Sequence, residues 1–291
     1  MTPEQLVSEV SDLITLPRAY HRIREMLDDP RCGAADIGRV IQHEPALTAK
    51  VLRIANSAYY GLPSKIDTIP MAITVLGTRA LSDLVLASAV ASAFEDIDTD
   101  LVDMADFWHH SVYCGIMARL LSKHLRLGQS EQLFVGGLLH DLGKLVIYMR
   151  LPEQASEVLR LFAESERPLY EIEREVHGFD HADVGRALVA SWDLPEGLQE
   201  AIGYHHNPQA DLPYADEVAL IHSANALSKK VEPGHKLRQD DNAVPELHPF
   251  VAERVPLTPE LVEELSLKAD VQSLEVFRTL FSGASTCSSY A

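Results

Sequence analysis

A histidine and an aspartate stand next to each other inside an apolar stretch of this sequence. The stretch covers residues 136–146, and His140 and Asp141 lie near its centre. If the segment is buried, leaving either side chain without a partner costs roughly several kcal/mol. A divalent cation can bind an imidazole nitrogen and a carboxylate oxygen together, or the two side chains can bond to each other in the core. One such pair does not fill a coordination sphere, so a metal site requires ligands from other segments.

The rest of the chain has a helical pattern almost throughout. Apolar residues recur at spacings of three and four, whereas the alternation that is typical of strands is scarce. Prolines and glycines separate the periodic segments, and residues 232–256 are polar enough to predict a loop. The sequence therefore predicts an all-α fold with helices at 4–14, 18–28, 34–43, 45–55, 69–76, 78–94, 101–125, 131–149, 153–165, 168–176, 181–191, 195–206 and 213–231, and a final pair from residue 258.

An acidic joint at residues 95–100 indicates where the chain divides. We expect residues 1–98 to form an N-terminal helical subdomain and residues 99–232 to form a multi-helix bundle that holds the candidate metal site. Residues 233–291 are expected to add a loop and C-terminal helices that pack on the same domain. The Ser- and Thr-rich end at 282–291 is predicted to be mobile.

The charge balance excludes one broad class of partners. The chain carries a formal net charge of -18, so we expect no electrostatic binding to nucleic acid or to an anionic membrane. No uncharged apolar run reaches the roughly 20 residues that span a bilayer, and the first residues lack the pattern of a signal peptide. The 3 cysteines are widely spaced, which fits a reducing cytoplasm and neither a disulfide framework nor a thiolate zinc site. We therefore expect a cytoplasmic protein.

Further candidate ligands lie on other predicted helices. Asp106 and His110 are four residues apart, so they project from one helix face. His181 opens a helix that Asp180 can cap. The positive end of a helix suits a neutral, metal-binding imidazole, although helix capping alone also accounts for this position. Because metal ligands in helical bundles converge from facing helices, the candidate set is Asp106, His110, His140, Asp141, Lys144, His181, His205, His206 and Asn225.

The N-terminal half combines a helix–Pro–helix pattern around Pro45 with an Asn-Ser-x-x-Tyr-Gly turn at residues 56–61. From residue chemistry alone, Asn56 and Ser57 are helix-ending residues in a packed helical subdomain. Together with neighbouring segments, this half resembles the HDOD family, the HD-related output domain of bacterial signalling proteins. The segments that carry the resemblance are 16–17, 41–48, 52–61 and 72–77.

The order of the candidate ligands resembles the HD superfamily, and most closely the HD-GYP phosphodiesterases, which hold two or more metals. In this resemblance Asp141 bridges two metals, and Lys144 contacts a substrate phosphate or a bridging ligand. Two features depart from the pattern: Asn225 stands where a last aspartate is expected, and no Gly-Tyr-Pro follows the paired histidines. An amide oxygen is neutral, so the substitution weakens metal affinity. The metal ligands that the resemblance implies are Asp106, His110, His140, Asp141, His181, His205, His206 and Asn225.

Two functions are compatible with this resemblance. The first is a bacterial signal-transduction protein of the HDOD type that retains an HD-type divalent metal site and acts through a signalling protein partner or a small phosphorylated ligand. The second is a metal-dependent phosphohydrolase acting on a nucleotide or cyclic dinucleotide, with Asp141 holding the metal and Lys144 stabilising charge on the phosphoryl oxygens. Both predict one or two divalent transition metal ions (Fe, Mn, Ni or Zn), since such ions suit sites of histidine and carboxylate.

Overall fold

The computed structural model describes residues 1–11, 13–29, 31–94, 97, 99–232 and 244–281. Over these residues the chain forms α-helices and no strand, which confirms the all-α prediction. The helices are α1 (Pro3–Ser8), α2 (Arg18–Asp28), α3 (Ala34–Gln42), α4 (Pro45–Ala55), α5 (Ile69–Leu76), α6 (Thr78–Ala93), α7 (Met104–Leu125), α8 (Ser130–Leu139), α9 (Leu142–Arg150), α10 (Pro152–Ala163), α11 (Leu169–His177), α12 (His181–Ser191), α13 (Glu196–Gly203), α14 (Ala215–Leu227), α15 (Pro249–Arg254) and α16 (Pro259–Leu280), with a 3-10 turn at Lys229–Val231.

Polar caps begin two of the helices that carry the site. The Asp103 carboxylate accepts hydrogen bonds from backbone N–H groups in the first turn of α7, at 2.7 and 3.2 Å. Asp180 caps α12, as the sequence predicts, and it forms a reciprocal capping box with Asp183. These bonds satisfy N–H groups that every helix start leaves unpaired. The helices α7 and α12 therefore begin at defined residues, which sets the positions of His110 and His181 along them.

The predicted helix at 131–149 is divided into α8 and α9, and the break falls at His140 and Asp141. A Cβ atom on Gly143 would lie 1.9 Å from the carbonyl oxygen of His181. The first turn of α9 is therefore in backbone contact with the start of α12, and only glycine permits this approach. The apolar pattern continues across the break, so helical periodicity alone could not reveal it. The consequence is that both candidate ligands lie at a bend rather than within a helix.

Other element boundaries also differ from the prediction. The first helix ends at Ser8, because residues 9–11 and 13 continue as turns. Within the predicted loop at 232–256, α15 begins at Pro249, whose fixed φ angle favours the first helical position. The predicted final pair is one helix, α16, since no glycine or proline interrupts it after Pro259. The remainder of the predicted loop at 233–243 and the predicted mobile end at 282–291 lie outside the described residues.

The chain divides into two compact units, and the first carries all the candidate ligands. Unit 1 is Met1–Thr15 with Asp98–Ala269, and unit 2 is Leu16–Ile97 with Asp270–Ala291. The predicted grouping of residues 1–98 differs from this division, because α1 packs on α12 and α9 of unit 1. In addition, the Trp192 indole N–H donates to the Ile14 carbonyl oxygen at 3.2 Å. The predicted C-terminal region is also divided, since the boundary falls within α16.

Close packing of α7 on α8 forms the centre of unit 1. A Cβ atom on Gly137 would lie 2.5 Å from the Cα atom of Gly115, and one on Gly115 would lie 2.5 Å from the Phe134 carbonyl oxygen. The two helix backbones therefore touch at this crossing, where any side chain would separate them. This contact brings His110, on α7, close to the chain that leaves α8.

Unit 2 contains the Asn-Ser-x-x-Tyr-Gly turn, and the side chain of Asn56, its first residue, forms hydrogen bonds that join two segments of the backbone. The Asn56 side chain donates to the carbonyl oxygens of Leu52 and Ile66 and accepts from the Ile66 N–H, each at 2.7 Å. Gly61 ends the turn with φ of 58°, a left-handed conformation that glycine adopts without strain. These contacts hold the end of α4 against the following loop.

Among the described residues, none of the helices has by itself the length and apolar composition needed to span a membrane. The helices α5 and α6 meet at 118° and satisfy the same criterion only when they are taken together.

Candidate metal centre

Two groups of potential metal ligands meet at Asp141. Within each group, one donor atom from every residue lies within 4.8 Å of the other two. Asp141 connects the groups, because its Oδ2 atom belongs to the first and its Oδ1 atom lies 3.2 Å from His181 Nε2 in the second. All of these residues are buried except His206, which is half-buried. The first group is His110, His140 and Asp141, and the second is His181, His205 and His206.

The atoms of the first group have the spacing of ligands around one ion. Asp141 Oδ2 lies 3.4 Å from His140 Nε2 and 3.6 Å from His110 Nε2. A tetrahedral ion with bonds of about 2.1 Å separates its ligand atoms by about 3.4 Å. Both imidazole Nε2 atoms are buried without a hydrogen-bond partner. Three protein ligands at this spacing fit a tetrahedral ion and leave one coordination position for another molecule.

Two histidines direct a lone pair into the site because each ends a helix. His140 Nδ1 donates to the Gly137 carbonyl oxygen at 2.7 Å, just after α8. His205 Nδ1 donates to the Ile202 carbonyl oxygen at 2.6 Å, just after α13. A carbonyl oxygen only accepts, so Nδ1 carries the proton and Nε2 of the neutral ring has a free lone pair. Burial lowers the pKa of His140 to about 4 and the pKa of His205 well below its usual value, so both rings are neutral at pH 7.

The paired histidines both reach the second group because they do not lie within a helix. Since α13 ends at Gly203, His205 and His206 occupy the turn that follows it. His206 Nε2 lies 2.9 Å from His181 Nε2. The His206 ring also stacks on Tyr170, with ring centroids 4.5 Å apart. Burial, followed by the effect of neighbouring histidines, lowers the pKa of His206, so the ring is neutral and able to bind a metal ion.

Glu173 orients His181 and was not identified from the sequence. Its Oε2 atom accepts from the His181 ring N–H at 2.5 Å and from the His181 backbone N–H at 3.0 Å, and its side chain is buried. Burial lowers the pKa of His181, but the Glu173 charge and the hydrogen bonds to both carboxylates outweigh it and raise this pKa to about 10. A carboxylate behind a ligating histidine is the usual support of a metal site. Its helix, α11, has an ordinary polar face, so residue spacing offered no signal.

Lys144 lies against the carboxylate that both groups share. It is 8% exposed, and its ammonium donates to Asp141 Oδ2 at 2.8 Å. Burial lowers the pKa of Lys144, but the charges of Asp141 and Glu232 outweigh burial and raise it. Burial opposes ionisation of Asp141 as well, yet His140 and Lys144 hold the pKa of that carboxyl well below its usual range. The pair is therefore charged on both sides at neutral pH.

One predicted ligand lies outside both groups. Asp106 is exposed in the first turn of α7 and belongs to neither group, because this turn reaches solvent while His110 lies one turn deeper. Asn225 is half-buried in α14, where its backbone carbonyl oxygen accepts from the Ser228 N–H at 3.0 Å. Its side-chain amide oxygen stays a predicted ligand. A further acidic residue near the centre is Glu232, whose Oε1 atom lies 3.9 Å from Lys144 Nζ. It was missed because residue 232 opens a predicted loop.

Similar proteins agree with this architecture. An uncharacterized protein of Treponema pallidum (strain Nichols) is 26% identical over 224 residues, which are 76% of this chain and 43% of that protein. This chain thus spans less than half the length of that relative. A crystal structure from Shewanella amazonensis SB2B, provisionally named a phosphohydrolase, has a TM-score of 0.74 at 26% identity and covers 94% of this chain and 97% of its own.

A second crystal structure shares the fold. It is an HDOD domain protein of unknown function from Geobacter sulfurreducens, with a TM-score of 0.73 at 24% identity, covering 95% of this chain and 96% of its own. The sequence pattern of the HDOD domain matches residues 13–208, which is most of the chain. Because this match covers most of the chain, the chain belongs to the HDOD family.

Proposed function

We propose that this protein is a bacterial, cytoplasmic regulator that binds one or two divalent transition metal ions (Fe, Mn, Ni or Zn) at the two ligand groups. In this proposal it acts through a signalling protein partner or a small phosphorylated ligand. The observation that carries it is that the Nε2 atoms of His140 and His205 are both buried and that neither has a hydrogen-bond partner. A buried polar atom without a partner destabilises the fold. A cation is the species that satisfies neutral imidazoles and a carboxylate together.

The distribution of donor atoms supports a proposal of one or two ions. The first group offers two imidazoles and Asp141 Oδ2, and the second offers three imidazoles with Asp141 Oδ1 at its edge. Each set is large enough for one transition metal ion. Asn225 and the missing Gly-Tyr-Pro favour the regulatory function over turnover, because they remove an expected anionic ligand and a family motif.

Metal analysis with group-specific variants tests this proposal. We expect the purified protein to bind up to two ions, measured by elemental analysis and by calorimetry with Mn²⁺ and Zn²⁺. His140→Ala should remove the ion of the first group, and His205→Ala that of the second. His43→Ala, which replaces an exposed histidine in unit 2, is the matched control and should bind as the wild type does. Wild-type protein that binds no ion would refute the proposal.

Metal-dependent phosphohydrolysis is a second candidate, and one observation favours it. An ion held by the three ligands of the first group would keep a coordination position for another molecule, and the buried Lys144 ammonium lies 2.8 Å from the Asp141 Oδ2 atom of that group. A bound metal ion would supply a Lewis acid for attack of water on a phosphoester. Asp141 would hold that ion, and Lys144 would bind the phosphoryl oxygens and stabilise their developing charge.

Turnover separates the two candidates. Metal-loaded wild type should be assayed on phosphoesters, nucleotides and cyclic dinucleotides beside Asp141→Ala. Hydrolysis that requires metal and is lost in the variant would establish the enzyme and overturn a purely regulatory function. If the loaded protein instead binds a nucleotide or cyclic dinucleotide, seen as a shift of its melting temperature, and releases it unchanged, the regulatory function is supported.

A further inference from the structure

The first ligand group contains a competitor for the ion that it would bind. The Lys144 ammonium lies 2.8 Å from Asp141 Oδ2, the same oxygen that stands 3.4 Å from His140 Nε2. An ion at this group would take that oxygen as its ligand. A divalent cation and an ammonium repel each other strongly at such a distance in a buried site. Occupation of the first group therefore requires Lys144 to give up its bond to Oδ2.

A second carboxylate stands where the displaced ammonium can go. Glu232 Oε1 lies 3.9 Å from Lys144 Nζ, which is beyond hydrogen-bond length. A movement of roughly 1 Å would bring the two atoms to about 2.8 Å, the length of a charge-assisted hydrogen bond. Such a movement is small for a flexible four-carbon side chain. Glu232 directly follows the 3-10 turn after α14, and its side chain is half-buried.

The displaced ammonium needs an anion, and Glu232 meets that need. Lys144 is buried, so an ammonium that loses its partner there is strongly disfavoured. Tyr148 also lies within electrostatic reach of Lys144, but burial raises the pKa of its hydroxyl, so it stays neutral. Glu173 already accepts two hydrogen bonds from His181. Glu232 also forms an ion pair with Lys144. Unlike Asp141, it is not one of the candidate metal ligands.

We infer that Glu232 is a positioning residue, which takes over the Lys144 ammonium when an ion occupies His110, His140 and Asp141. This inference rests on the proposed metal site. By accepting Lys144, Glu232 lowers the cost of displacing it and keeps a positive charge next to the ion. The charge then remains available to an anionic ligand of the phosphate type.

A double-mutant cycle on metal affinity tests the inference. Calorimetry with Zn²⁺ gives the affinity of the first group, identified by its loss in His140→Ala. Glu232→Gln should lower this affinity about tenfold, within the range seen for groups that support metal ligands. In a Lys144→Met background Glu232 has no ammonium to accept. Glu232→Gln should therefore change the metal affinity less than about twofold.

Controls separate this role from its alternatives. Glu157→Gln removes one negative charge from an exposed Arg160 pair on α10 and should leave the affinity unchanged. If Glu157→Gln weakens metal binding as much as Glu232→Gln does, the loss comes from the net charge of the protein and the inference is overturned. An equal loss from Glu232→Gln in both Lys144 backgrounds would make Glu232 a ligand, which overturns the inference and keeps the metal site. Wild type without an ion at the first group would overturn both proposals. If Lys144→Met does not fold, Lys144→Gln supplies the uncharged background.

Discussion

At the scale of single residues, bonds to the backbone decide what the histidines can bind. His140 and His205 both use Nδ1 to close the end of a helix, so only Nε2 points into the site. The identity of these residues could be predicted from the sequence, because their types and order are visible in it. Their protonation could not, since it depends on where α8 and α13 end. Glu173 was missed for a related reason: helical spacing does not distinguish a buried glutamate from an exposed one.

Removal of the carboxylate behind His181 should weaken the second ligand group. In Glu173→Gln the Nδ1 proton loses its charged acceptor, so the ring is held less firmly and is a poorer ligand. We expect metal affinity at this group to fall about 10- to 100-fold, the range for such supporting residues. Calorimetric titration measures it. Glu175→Gln, on the same helix with an exposed Arg167 pair, is the control. Equal affinity in wild type and Glu173→Gln would contradict the role assigned to this carboxylate.

At the scale of elements, the site depends on helix ends that meet rather than on one long helix. Most helix boundaries could be predicted from proline, glycine and apolar spacing, as α2 and α4 show. The break between α8 and α9 could not, because its cause is the contact of Gly143 with a carbonyl oxygen 38 residues further along the chain. That contact places Asp141 against His181.

Gly143→Ala should separate α9 from α12. The new Cβ would stand 1.9 Å from the His181 carbonyl oxygen and 2.7 Å from the Gly185 nitrogen, so the backbones must move apart. Overpacking of this kind typically costs about 1–3 kcal/mol of the free energy of unfolding. Urea denaturation measures that loss, and calorimetry should show weaker metal binding through the longer Asp141–His181 distance. Gly33→Ala, whose Cβ would meet its nearest atom at 3.7 Å, should leave metal binding unchanged.

The pairing of α7 with α8 should show an acid dependence that comes from Glu131. This residue lies in the first turn of α8, 3.5 Å from the buried Arg119 of α7. Burial raises the pKa of Glu131, but the Ser130 hydroxyl and the charges of Arg119 and Lys123 outweigh it and lower this pKa. A carboxyl whose pKa is lower in the folded state stabilises the fold above its unfolded pKa, and that stability is lost as the pH falls through the folded value.

Glu131→Gln should therefore be less stable than wild type at pH 7 by about 1 kcal/mol, and the difference should shrink as the pH falls below about 4. Urea denaturation at a series of pH values measures both. Glu153→Gln, at an exposed position in the first turn of α10, provides the control. A difference that stays constant with pH would show that the stabilisation does not come from the ionised carboxylate.

At the scale of the whole molecule, the order of the sequence misleads about which residues fold together. Unit 2 reaches Ile97 and unit 1 resumes at Asp98, within the acidic segment 95–100 of the sequence. The first fifteen residues nevertheless belong to unit 1, because α1 packs on α12 and α9. No change in composition near residue 15 indicates that the first residues belong to unit 1. Their membership follows from tertiary packing alone. The unit that carries both ligand groups is thus assembled from segments on either side of unit 2 in the sequence.

This assignment predicts which unfolding transition responds to a change in α1. Leu6 is 0% exposed and Leu13 is 66% exposed, so Leu6→Ala should lower the free energy of unfolding by about 2–5 kcal/mol and Leu13→Ala by less than about 0.5 kcal/mol. Bound metal stabilises only the unit that binds it. In thermal unfolding followed by calorimetry, Leu6→Ala should therefore lower the same transition that added metal raises. If Leu6→Ala lowers a transition that metal leaves in place, residues 1–15 do not fold with the metal-binding unit.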